Sequence, residues 1–379
     1  MHGVKRLFGW MIPRFDPERY QVSLVSLRRR DLSEETLDAL GIDITYLEKG
    51  RFDPSTLPAL LRIIDARRVD VLHLHGYGAT TFGRLAAARR RLPVVLHEHA
   101  NLTSTPWFQK VADRLLEPFT DVALAVSEST ARFVIDARLV RPERVKVVYL
   151  GAPLDEFSQP RPADDRAATR AALGAADDDF IVGSVTRLHD SKGNEYLVRA
   201  ARLVLDERPH ARFVVYGEGP LRESLEALAA ELGVAHRFSF AGFVKDVPAA
   251  LWAFDLSVFP SLWEGTPLTV FEAMATSRPI VATDADGLSE VLRHNENALV
   301  VPRRDAPALA RAIVEAIDDP AARARLAAGA RRTADAFDIG AFVRKMERLY
   351  DVLVRESRPR RRDVAGLADL AFLTDKATV

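Results

Sequence analysis

Short apolar runs separated by longer stretches with helical spacing recur along the whole chain. In the first half the runs are Gln21–Leu27, Val69–His75, Pro93–His99, Asp121–Ser127 and Val145–Leu150. Between them lie stretches such as Pro54–Arg67 and Ala79–Arg91, whose apolar positions recur at the helical period. In the second half the runs are Asp179–Val185, Ala211–Gly217, Arg237–Gly242, Asp255–Ser261, Pro279–Thr283 and Ala298–Val301. Runs such as Val214-Val215-Tyr216 and Ile280-Val281-Ala282 are nearly continuous rather than alternating. Parallel strands covered on both faces by crossover helices have this pattern. Strand and helix alternate twice over, which predicts two doubly wound α/β domains.

The chain is expected to divide into a first domain over 1–155, a second over 169–337, and a linker rich in proline and acids around Gly151–Ala168. Helical residues at about 338–355 are expected to pack back on the first domain. Residues 356–379, with Arg358-Pro-Arg-Arg-Arg and little pattern, read as a mostly disordered tail. A length of 379 residues fits two cores better than one.

Composition narrows the function classes. Apolar residues make up 48% and charged residues 28%, as in an ordinary globular protein. Without any cysteine, disulfides, thiolate metal sites and cysteine nucleophiles are excluded. No apolar run approaches the length of a membrane span, and Lys5 and Arg6 are followed by only a short apolar patch, so a cytoplasmic location is expected. Residues 1–155 carry 23 Lys/Arg against 19 Asp/Glu, whereas 156–354 carry 24 against 30. So mild an excess does not support nucleic-acid binding. Arg28-Arg29-Arg30 and Arg89-Arg90-Arg91 suggest reversible peripheral contact with anionic lipid at the inner membrane face.

The chemistry concentrates where the strands of the second half end. Pro260-Ser-Leu-Trp-Glu264-Gly265-Thr266-Pro267-Leu268 leaves a buried strand, and Thr266-Pro267 reads as an N-cap followed by proline at the first helical position. A helix start at that edge favours an anion, and Gly265 allows close backbone approach. Glu264 and Glu272 add two acceptors suited to sugar and ribose hydroxyls. Arg187 and Lys192 follow the strand Asp179–Val185, where fixed cations would neutralise a diphosphate as a bond to it breaks. Turns at Gly217-Glu-Gly-Pro and Gly242-Phe243 complete this edge. The third glycine and later acid of a dinucleotide fingerprint are missing, which argues against a nicotinamide enzyme.

Together these residues resemble the retaining glycosyltransferases of family 4, which have the GT-B fold: two Rossmann-like domains facing each other across a cleft. The resemblance runs from about Gly3 to Arg355, most specifically in Glu264-x7-Glu272. It implies that Glu264 contacts the donor sugar, Glu272 the ribose, and Arg187 and Lys192 the diphosphate. The amides of Gly265, Thr266, Pro267 and Leu268 would face the donor, with Gly217 on the same edge and the backbone near Phe243 and Val244 bordering the base. Among the strand-end histidines, His99 aligns best with one near the transferred sugar, and His97 second. Relatives open with a β-strand and glycine-rich turn before a helix. Here the residues 2–6 look like the end of that turn, Leu7–Ile12 like the helix, and the opening strand has no counterpart.

The reaction expected is transfer of a sugar from a nucleoside diphosphate sugar to a sugar or lipid-linked acceptor hydroxyl, with retention. No cofactor and no metal site are expected, since no Asp-x-Asp cluster stands on a strand-end loop, and Asp177-Asp178-Asp179 reads as a solvated turn at the far end. The alternatives are a sugar-nucleotide epimerase of the same fold and a non-catalytic sugar-nucleotide or partner-binding protein.

Overall fold

The computed structural model describes residues 3–30, 37, 39–50, 53–99, 106–266, 268–356 and 370–374. The chain separates into two compact units, Met1–Gly151 with Ile339–Ala377, and Ala152–Asp338. Each is built of parallel strands with helical crossovers.

In the first unit, β1 (Leu24–Ser26) pairs with β2 (Ile44–Tyr46), and a separate sheet runs in the order β3 (Leu72–His75), β4 (Val94–Glu98), β5 (Val122–Ala125), β6 (Val145–Val147). Central strands β4 and β5 hold Val94–Leu96 and Val122–Ala125 fully buried, as their unbroken apolar runs require. Among the described residues β1 and β3 are edge strands. A cavity of about 1190 Å³ lies between them, lined by both strands and by Val4, Phe8 and Tyr350. No described strand occupies that position. The first helix spans Gly3–Met11, starting earlier than Leu7, and tightens into a 3₁₀ turn over Ile12–Arg14 where Pro13 removes a helical donor.

Helix Ile339–Glu356 belongs to this unit. Its Glu347 accepts from the Asp16 amide at 3.0 Å, and its Asp351 from the Tyr20 hydroxyl at 2.8 Å. Of the stretch expected to be a disordered tail, 357–369 and 375–379 lie outside the described residues. Residues 370–374 instead form a helical turn with Leu370 and Leu373 buried, and the Arg348 guanidinium lies 4.1 Å from the Phe372 ring centre.

The second unit is one six-stranded sheet in the order β12 (Leu299–Val301), β11 (Ile280–Thr283), β10 (Leu256–Phe259), β7 (Phe180–Val185), β8 (Ala211–Tyr216), β9 (Phe238–Gly242). Its core joins Val182, Leu197, Phe213, Val258, Val281 and Ile313. The seam lies at Gly151–Ala152, and most of the expected linker belongs to this unit. Helices Leu154–Ser158 and Ala163–Ala172 occupy it, the latter favoured by Asp164 and Asp165 in its first turn. The Trp252 indole donates to the Phe157 carbonyl at 2.9 Å, and Arg166 pairs with Asp255 at 2.8 Å, so this segment is packed rather than free. Asp179 likewise differs from its reading as a solvated turn. It is 5% exposed and accepts from Arg212 at 3.0 Å and Arg237 at 2.5 Å, because Ala211 and Phe238 bring those arginines alongside at the starts of their strands.

Candidate active site

The strand order of the second unit reverses at β7, with β8 on one side and β10 on the other. At such a switch point the loops leaving neighbouring strands diverge and open a crevice outside the carboxyl ends, where open α/β sheets bind ligands. Three loops meet there. The loop after β7 carries Arg187 and a 3₁₀ turn over Asp190–Lys192, followed by helix Asn194–Glu207. The loop after β10 carries Glu264, Gly265 and Thr266 into helix Leu268–Ala275. Pro267 lies outside the described residues. The loop after β8 carries Gly217.

These loops are fastened by backbone bonds. The Leu262 amide donates to the Ser191 carbonyl at 2.8 Å, which ties the β10 loop to the turn holding Lys192. Gly193 sits at φ +58°, and a Cβ there would come within 2.1 Å of the Pro260 oxygen. On the other side Thr186 and Leu188 donate to the carbonyls of Tyr216 and Glu218 at 2.9 and 3.0 Å. A Cβ on Gly217, at φ +148°, would lie 1.7 Å from the Thr186 oxygen, so this turn closes only with glycine.

The side chains follow from that scaffold. Lys192 Nζ forms an ion pair with Glu264 Oε1, the two side chains being 15% and 10% exposed. The same carboxylate oxygen accepts from Ser261 Oγ at 2.8 Å. Arg187 is exposed, while its carbonyl accepts from the buried Asn194 side chain at 3.1 Å. The loop after β7 thus carries one exposed cation, Arg187, and one lysine already charge-paired. Gly265, Thr266 and Leu268 are buried at the start of their helix, whose N–H groups and dipole favour an anion. Glu272, within that helix, is 0% exposed. Phe243 is 63% exposed and Val244 half-buried beyond β9, leaving a ring face open at the sheet edge.

Two contributors were missed in the sequence. Ser261 orients Glu264. Arg303 donates to the Leu262 carbonyl at 2.8 Å and to Asp286 at 3.3 Å, bracing the β10 loop from the β12 side. Ser261 stands inside the Pro260–Glu264 segment without a role that its residue type reveals, and Arg303 is 41 residues from its acceptor.

His99 lies in the first unit. His73 and His75 on β3 and His97 and His99 at the end of β4 share one sheet face as a stack in which His97 is buried and the other three half-buried. His75 Nδ1 and His99 Nε2 are 2.8 Å apart, His73 Nε2 and His97 Nδ1 3.1 Å, and His73 Nδ1 meets the Tyr350 hydroxyl at 2.6 Å. Burial drives their pKa values down, to about 4 for His99 and about 3 for His73, with neighbouring His99 adding to the effect at His73. They are therefore neutral at physiological pH. Ring nitrogens of His73, His75 and His97 lie within 4.8 Å of one another, yet the His73 and His97 planes are only 14° apart. A metal must lie in the plane of each ring it binds, so stacked rings do not converge on one ion.

Known proteins are similar to this chain along most of its length. Residues 3–156 match the family described as Glycosyltransferase Family 4, and residues 165–333 that described as Glycosyl transferases group 1. The chain belongs to the family 4 glycosyltransferases. It is 32% identical over 305 residues to the D-inositol 3-phosphate glycosyltransferase of Thermobispora bispora, covering 75% of this chain and 70% of the relative. It is 24% identical over 316 residues to the Escherichia coli UDP-Gal:alpha-D-GlcNAc-diphosphoundecaprenol alpha-1,3-galactosyltransferase, covering 80% and 81%. The crystal structure of Anabaena HepE in complex with UDP superposes with a TM-score of 0.82 at 22% identity, over 92% of this chain and 96% of that one. The fold is GT-B, and the family takes a nucleotide sugar as its donor without a metal cofactor.

Proposed function

We propose that this glycosyltransferase moves a sugar from a uridine diphosphate donor to a hydroxyl of a lipid-linked acceptor, with retention at the anomeric carbon. The observation that carries the reading is the Lys192–Glu264 pair at the β7 switch point, with exposed Arg187 on the same loop as Lys192. On donor binding Lys192 exchanges a carboxylate for the diphosphate, and Arg187 folds onto it. Glu264, released from the ion pair, accepts from hydroxyls of the transferred sugar. Glu272 holds the ribose, and the amides of Gly265, Thr266 and Leu268 face the departing phosphate. Preorganised charge of this kind stabilises a leaving group more in the transition state than in the ground state.

Support for uridine comes from HepE, whose crystal structures include complexes with UDP and UDP-glucose. Support for a lipid diphosphate acceptor comes from the named substrate of the E. coli relative. Retention is a property of the family, and neutral His99 is suited to accept a hydrogen bond from a sugar hydroxyl. The reading is tested by incubating the purified chain with a panel of nucleoside diphosphate sugars and polyprenyl-diphosphate-linked sugars. Nucleoside diphosphate release must require the acceptor and persist in EDTA; release that stops in EDTA and returns with added magnesium contradicts it.

A further inference from the structure

Helix Trp107–Leu116 turns its polar side inward and its apolar side out. Gln109 and Asp113 are 1% and 0% exposed, whereas Trp107, Phe108, Val111 and Leu115 are 77%, 40%, 50% and 69% exposed. Trp107, Val111 and Leu115 stand four residues apart and form one stripe. The helix is held this way up by ionic contacts beneath it. Asp113 is paired with fully buried Arg84 and lies 3.5 Å from buried Arg138, which is itself 3.6 Å from Glu98. Rolling the stripe inward would strip buried Arg84 of its counter-ion and leave buried Arg138 with Glu98 alone, which is strongly unfavourable.

We propose that this face docks on an anionic lipid surface, with the helix lying in the interface plane. The remaining exposed side chains on the helix that carry charge are Lys110 and Arg114, both positive, while its one acid is buried. An apolar stripe flanked only by cations suits acyl chains beside anionic headgroups, and a tryptophan at the helix start suits the headgroup boundary. Among the described residues no helix is long and apolar enough to cross a membrane, so the contact is lateral. Within the Arg89–Arg91 triad, Arg90 is held by both Asp65 oxygens at 2.6 and 2.7 Å. Docking here does not depend on the donor chemistry; it would bring the chain to a surface where lipid-linked acceptors reside.

Flotation of the full chain with phosphatidylcholine vesicles, with and without phosphatidylglycerol, tests this. Binding is expected only with phosphatidylglycerol. Lys110→Gln with Arg114→Gln should weaken it roughly 25-fold, from two surface cations, and Leu115→Gln about 10-fold, from one lost apolar insertion. All these positions are exposed, so circular dichroism and donor-dependent turnover in detergent should stay unchanged. Equal flotation on neutral vesicles, or binding unaffected by either variant, overturns the proposal. So does self-association abolished by Leu115→Gln without any vesicle binding, which would make the stripe a contact between copies of the chain.

Discussion

Replacing Glu264 by Gln separates two roles of one carboxylate. In the ligand-free chain it pairs with Lys192 and accepts from Ser261. Glutamine keeps an acceptor for Ser261 but removes the charge that competes with a diphosphate for Lys192. The pair lies between the surface and fully buried cases, with side chains 15% and 10% exposed. Its net strength is therefore set at about 1–2 kcal/mol, above exposed pairs and well below the cost of orphaning a buried charge. Free UDP should consequently bind about 5- to 30-fold tighter to the variant, at 1.4 kcal/mol per tenfold. Transfer from the intact donor should fall on the order of 10²-fold, because the charge facing the transferred sugar is lost. Calorimetry with UDP and a coupled assay of UDP release give the two numbers on one preparation. If UDP binding weakens in step with turnover, Lys192 is not held by Glu264 in the way the ion pair indicates, and the exchange step is refuted.

Two further outcomes follow from the geometry. The stacked histidines stay neutral when folded but protonate near pH 6.5 when unfolded. Their contribution is thus complete above about pH 6.5 and is lost as pH falls toward about 4, at up to roughly 1.4 kcal/mol per pH unit for each. Urea unfolding between about pH 6.5 and pH 5, above most carboxylate titrations, should show this slope, and His97→Gln should reduce it; a flat profile would contradict the neutral stack. Gly217→Ala should cost more than about 2 kcal/mol in unfolding free energy, since its Cβ would lie 1.7 Å from the Thr186 oxygen. An unchanged melting temperature would show that the turn yields freely.

Much of the second unit is legible because its strands are continuous apolar runs bounded by glycine or proline. The run Asp179–Val185 becomes β7 over Phe180–Val185, and Pro279–Thr283 becomes β11 over Ile280–Thr283. Strand β2 was missed because three half-buried residues carry no usable period. The linker was misjudged because proline and acids serve equally as turn residues and as helix starts, and only Trp252 and Asp255, some 90 residues away, decide the matter. The place of Arg187, Lys192 and Glu264 on loops at strand ends is legible in the sequence. Their pairing is not, since Lys192 and Glu264 are 72 residues apart and meet only after β7 and β10 come together. The inverted helix is equally hidden, because burial of Asp113 depends on Arg84 from one helix and Arg138 from the bend that follows another.

On the proposed function, the β7 switch point holds the donor diphosphate of a retaining transfer. The most direct test is product formation by the purified chain, read as the anomeric proton signal of the new linkage, with Arg187→Ala and Lys192→Ala compared at matched folded fraction. A product with the donor's anomeric configuration is expected, with a loss of turnover on the order of 10²-fold in each variant. An inverted product, or near-normal turnover by both folded variants, would contradict it.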